Sequence, residues 1–169
     1  MQEILDRVSI REYLEKEVEK EKVEKLLLAG MSAPSARNQR AWEFLVCDDK
    51  ALLTQISEKC KNHYMAKDAP LAIIVLGNKN KVTSPLYLDQ DLAAATENIL
   101  LEATHLGLGS VWLGVAPNEE RMGNINNIFN LEDNYYAFSI IVIGYPKNNI
   151  RKERKYDESI VHHNKIKNG

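Results

Sequence analysis

The chain has 169 residues, 44% of them hydrophobic and 27% charged, and a formal net charge of −2. That length fits one domain, which buries roughly two-thirds of its unfolded surface and needs no disulfide or metal to hold it. The small charge balance excludes a general nucleic-acid binder, which would carry a strong basic excess.

The N-terminal "MQEILDRVSI" carries acidic residues and no apolar run, so it does not read as a signal peptide. Within "DRVSIREY", Arg7, Ser9 and Arg11 stand at alternate positions. In an extended segment alternate side chains point the same way. Two guanidinium groups and a hydroxyl on one side form a candidate phosphate clamp; the same pattern also suits a loop with two solvated arginines. The charge run "EKEVEKEKVEK", residues 15–25, predicts a solvated helix face above a stripe of Val18, Val23, Leu26, Leu27 and Gly30. The connector "SAPSARNQRAW" is polar and turn-prone, yet it carries two arginines and a tryptophan that a turn does not require.

"WEFLVCD" predicts a strand with Trp42, Phe44 and Val46 on one side and Leu45 and Cys47 on the other. "KALLTQISEKCK" predicts a helix with Leu52, Leu53, Ile56 and Cys60 inward. "LAIIVLG", 71–77, is an apolar strand of the kind buried on both faces. The longest helix is expected between Leu86 and Leu106, with many small residues that let other backbones approach. "GSVWLGV" predicts a short strand, "NEERMGNINNIF" a helix started by Pro117 or Asn118, and "YAFSIIVIGY", 136–145, a last strand ended by Pro146. The remaining tail is basic, then polar, and includes "RKERK" at 151–155. An arm of this length must lie on something to be ordered. The alternation of elements predicts a sheet covered by helices on both faces.

Cys47 and Cys60 read as reduced thiols of a cytosolic protein, and no apolar run approaches the ~20 residues of a membrane span. "GLGSVW" ends a helix, opens a strand and lacks a third glycine, so it fails the dinucleotide fingerprint. No phosphate-binding G-x-x-x-x-G-K-[ST] occurs, and His63, His105, His162 and His163 show no zinc spacing. No acid–base pair or side-chain nucleophile stands out.

Four segments occur in order: "R-x-S-x-R-x-Y", "APSARNxxxW", "DLAAATENILLEATHLGLGSVWLG" and "GYP…RKERKYDE". Together they resemble the nitroreductase family of FMN-dependent oxidoreductases, in a short member, from about residue 3 to residue 163. The resemblance implies an α+β fold with a mixed central sheet and an entwined homodimer. Residues 1–169 then form one domain, whose C-terminal arm, from about 147, packs on the partner. It further implies that FMN lies at the dimer seam. Arg7 and Ser9 of the N-terminal clamp would hold the phosphate, with Val8 where the family often has a basic residue. Arg11 would lie toward the pyrimidine edge of the ring. Pro34, Ser35, Ala36 and Asn38 match the loop that closes over the flavin from the partner. Trp112, Leu113 and Gly114 match the segment whose backbone N–H groups face the reactive edge. Lys152 and Arg154 match the basic pair that completes the phosphate site. Arg40 and Ala41 stand where the family often has Gln and Pro, and Glu97 where Gln is common.

The implied activity passes electrons from NADH or NADPH through FMN to a small acceptor, such as a nitroaromatic or a quinone, by a ping-pong scheme in the cytoplasm, with no nucleic acid or membrane partner. The alternative is an FMN-binding protein without turnover, a redox sensor or flavin reservoir. The short connection "NKNKVTSP", 78–85, predicts an open pocket without a large lid.

Overall fold

The computed structural model describes residues 2–148, 150 and 153–166. At its centre runs β2 (Leu71–Asn78), buried along its whole length. Its β-branched, apolar sequence suits a strand covered on both faces. β1 (Trp42–Cys47) pairs with one side of β2, β4 (Tyr135–Gly144) with the other, and β3 (Gly109–Gly114) lies beyond β4.

Alternate side chains of β2 enter two separate cores. Ala72, Ile74 and Leu76 pack with Leu53 and Ile56 of α3 (Lys50–Lys59) and with Ile125 and Ile128 of α5 (Glu119–Phe129). Leu71, Ile73 and Val75 pack with Leu26 of α2 (Lys20–Met31) and with Leu92, Ala95 and Ile99 of α4 (Leu88–His105). A short α1 (Glu3–Asp6) precedes them.

Local chemistry sets the helix ends. The Asp49 carboxylate accepts the N–H groups of Ala51 and Leu52 at 2.8 and 3.1 Å, and the Asn118 side chain accepts that of Arg121 at 2.9 Å. Asn130, at φ 49°, turns the chain out of α5. α2 and α4 meet at Gly30, where a Cβ would stand 2.9 Å from Ile99 Cδ1.

The α+β architecture and the helical cover on both faces are those the sequence predicts. The mixed sheet is not: all four strands pair antiparallel, in the order β1-β2-β4-β3. The reason lies in the crossover. α4 carries the chain from β2 to β3, which run the same way, but β4 fills the space between them. Among the described residues the parallel character reduces to one bridge, Ser9 beside Ser110. The expected helix over 15–25 starts only at Lys20, and the long helix at Leu88, behind a 3₁₀ turn at Pro85–Tyr87. Val46, on the same face of β1 as Trp42 and Phe44, does not join them in the core: it is exposed and lines a cleft with Leu14, Val18 and Pro70. Among the described residues no helix is long and apolar enough to cross a membrane.

Candidate functional site

The first seven residues after α1 run beside β3. Ile10 N–H donates to the Ser110 carbonyl at 2.9 Å, and Tyr13 bridges to Pro146. Ile10 and Tyr13 are buried, and Val8 packs against the core. Ser9 and Arg11 are exposed on the other side of the segment, while Arg7 is partly buried. The alternation read from the sequence is present in the backbone.

Ser110 offers its carbonyl away from β4. Backbone groups of an antiparallel strand alternate sides with period two, so Trp112 and Gly114 share that outward edge, and Leu113 and Val115 turn toward β4. Val115 N–H does donate to Phe138 O, at 3.2 Å. The outward Gly114 carbonyl accepts Nη1 of Arg121 at 2.9 Å. Trp112 stands edge-on to Phe138, 6.0 Å between centroids, and Leu113 is buried in the core.

Arg154 Nη2 donates to the Arg7 carbonyl at 3.1 Å, so residues 147 positions apart form one basic cluster. Arg7 Nε lies 3.4 Å from Glu97 Oε1. Its side chain is 25% exposed, yet among the described residues its guanidinium donates no hydrogen bond. A half-buried fork of donors without an acceptor suits an anion such as a phosphate. Lys152, predicted to complete this cluster, lies outside the described residues.

The loop carrying Pro34, Ser35, Ala36 and Asn38 is held elsewhere. Ala36 N–H donates to Asp91 Oδ1 at 2.9 Å, and Gln39 Nε2 to Asp91 Oδ2 at 2.6 Å. Gln39 Oε1 accepts the N–H groups of Thr83 and Ser84, both at 2.9 Å. Ser35 Oγ accepts Arg40 N–H at 3.1 Å, and Asn38 Oδ1 accepts Arg40 Nε at 2.8 Å. These bonds hold Arg37, Asn38 and Arg40 at φ 51°, 54° and 45°, a region that side chains other than glycine enter only when their surroundings impose it. Among the described residues no hydrogen bond or ion pair joins this loop to residues 7–11. Within one chain, Arg154 is tied to Arg7 and the segment after α1 to the β3 edge, and among the described residues none of these hydrogen bonds extends to the loop.

Gln39 and Asp91 are the anchors to which the sequence reading gave no role: Gln39 stands at an unspecified position of the second motif, and Asp91 opens the third. Asp91 was accessible to pattern reasoning: it sits at i, i+4, i+8 with Ala95 and Ile99, on the buried stripe of α4, where a carboxylate needs partners. His63 is a second. It is 2% exposed, and burial, with the Arg121 cation nearby, lowers its pKa to about 4 against a hydrogen bond to the Gly114 carbonyl.

The Nitroreductase family profile matches residues 4–76 and 54–145. A Methanothermobacter thermautotrophicus protein named "Putative NADH dehydrogenase/NAD(P)H nitroreductase" is 39% identical over 162 residues, covering 96% of this chain and 85% of its own. The solved FMN-dependent nitroreductase of Clostridium difficile R20291 superposes with a TM-score of 0.90 at 34% identity, over 98% of this chain and 100% of that one. A Desulfovibrio desulfuricans chain, solved as a "putative nitroreductase in complex with fmn", superposes at 0.84 with 26% identity, over 98% and 96%. A fold, a family profile and relatives that each span nearly the whole chain agree: the chain belongs to the nitroreductase family.

Proposed function

We propose that this protein is an FMN-dependent oxidoreductase that takes electrons from NADH or NADPH and delivers them to a small acceptor, a quinone or a nitroaromatic. The observation that carries the reading is the Arg7 guanidinium, partly buried and without a hydrogen-bond acceptor among the described residues, next to Arg154 and the outward edge of β3. FMN supplies the electron-transfer chemistry when bound. Arg7, Ser9 and Arg154 would hold its phosphate. Arg11 stabilises negative charge on the ring. Strand alternation turns Leu113 toward β4, so the Gly114 N–H would be the one to meet the reactive edge, and Arg121 holds the carbonyl of the same residue on that outward side. No side chain need act as general acid or base.

The site is completed by a second copy. Residues 153–166 are exposed throughout, including Tyr156, Ile160, Val161 and Ile166. Four large apolar side chains without a core of their own suit an arm that packs on a partner. A cleft of about 1010 Å³ at the free edge of β1, lined by Leu14, Glu17, Val46, Asp48, Asp68 and Pro70, offers a place for it. The loop at Pro34–Asn38, which among the described residues shares no hydrogen bond with the clamp segment of its own chain, then reaches the partner's flavin.

The purified protein is expected to be yellow and dimeric, and to oxidise NADH or NADPH with menadione. Reductant and acceptor share one face, so initial-rate lines at several acceptor concentrations run parallel. Intersecting lines would overturn the shared pocket. A yellow protein that oxidises neither nucleotide would instead be a flavin store or sensor.

A further inference from the structure

The phosphate cluster contains a carboxylate. Glu97 projects from α4 to 3.4 Å from Arg7 Nε, with 46% of its side chain exposed. The contact is an ion pair without hydrogen-bond geometry, so it supplies counter-charge to Arg7 and leaves the donors of the guanidinium unfilled. Arg154 approaches the same residue through the Arg7 carbonyl. Two cations and one anion thus occupy a site where two cations alone would serve an anionic ligand better.

We propose that Glu97 is a specificity-determining residue that limits how tightly the chain holds a flavin phosphate, by competing with that phosphate for Arg7. The inference rests on the FMN reading above. A phosphate that takes the Arg7 donors enters the field of a carboxylate already within ion-pair distance of the same guanidinium. Like charges a few ångströms apart repel, and partial exposure to water screens the repulsion without removing it. The penalty falls on the phosphate alone. Glu97 therefore narrows the preference for FMN over riboflavin, which has the same ring and no phosphate, and it eases release of FMN.

The test uses the full chain freed of flavin and titrated with FMN and with riboflavin, followed by quenching of flavin fluorescence. Glu97→Gln is expected to tighten FMN binding about tenfold, the size of one screened charge contact, and to leave riboflavin affinity and apo-protein melting unchanged. Glu97→Ala shares the loss of charge and is expected to shift FMN affinity in the same direction. Unchanged or weaker FMN binding in both variants, with Arg7→Ala weakening it, overturns the role of Glu97 and leaves the phosphate clamp standing. Equal tightening toward FMN and riboflavin also overturns it, since the effect would then not act through the phosphate. If Arg7→Ala binds FMN as the wild type does, or the wild type binds none, the clamp itself is wrong and the inference falls with it.

Discussion

Ile10 and Gly109 leave no room between them: a Cβ on Gly109 would stand 2.7 Å from Ile10 Cγ2. This close approach allows the N-terminal segment to lie against β3, and it sets the positions of Arg7, Ser9 and Arg11 relative to the strand. Gly109→Ala is expected to cost about 1–3 kcal/mol, as overpacking does, and to weaken FMN binding as the clamp is pushed away. Urea unfolding and flavin titration on the same variant check both effects; an alanine that leaves both unchanged would show that the segment is free to shift.

Gly123 gives the opposite case. It sits inside α5, and nothing lies within 4 Å of a Cβ built there. Gly123→Ala should stabilise the protein by about 0.5–1 kcal/mol, through helix propensity and reduced freedom of the unfolded chain. A higher urea midpoint with an unchanged slope is the expected result.

Asp91 is 5% exposed and anchors the loop through the Ala36 N–H and the Gln39 amide. Asp91→Ala orphans both donors, at about 1–3 kcal/mol for each one left without water. The loop should also lose its imposed left-handed residues. Trypsin is expected to cut after Arg37 and Arg40 faster in the variant than in the wild type.

Much of this was legible in the sequence. β2 announced itself by its unbroken apolar run and α4 by its small-residue stripe, and the alternation of Arg7, Ser9 and Arg11 named the residues that we propose clamp a phosphate. What the sequence did not reveal depended on distant pairings. The antiparallel sheet follows from β4 entering between β2 and β3, a matter of topology that no local pattern carries. Gln39 looked like one more polar loop residue, because its partners are 44 and 52 positions away. Lys16, Glu17 and their neighbours share the composition of α2, yet this stretch stays outside the helix; Lys16 instead stacks 3.7 Å from the centroid of the Tyr145 ring.

His63 makes stability depend on pH. Its pKa falls from the ordinary 6.5 to about 4 in the folded state, first through burial and then through the Arg121 cation. Between those values the unfolded chain binds the proton and the folded one does not, so stability declines as pH drops from about 6.5 to about 4. The decline attributable to this residue amounts to about 3 kcal/mol. His63→Gln should flatten the stability profile in that window relative to the wild type, as measured by urea unfolding at several pH values. Profiles of identical slope would sink the assignment.

Cys47 and Cys60 are buried, and burial raises both thiol pKa values. Few thiolates and little access mean slow chemistry. Ellman's reagent is expected to react slowly with the native protein and to titrate two thiols promptly in guanidinium chloride. Fast reaction of either thiol in the native state would contradict the packing around it.

The strand buried on both faces separates residues that the chain places side by side. Ile73 and Ile74 are consecutive, but the backbone between their side chains acts as a wall, and shortening one leaves a gap that the other cannot relax into. Their truncations to valine should sum almost independently. Ile74 and Ile140 are 66 positions apart, yet they face each other across the strand pair in one apolar volume, and shortening both opens a single shared space. Mutational interdependence in this protein therefore follows the side of the wall, not the distance along the chain.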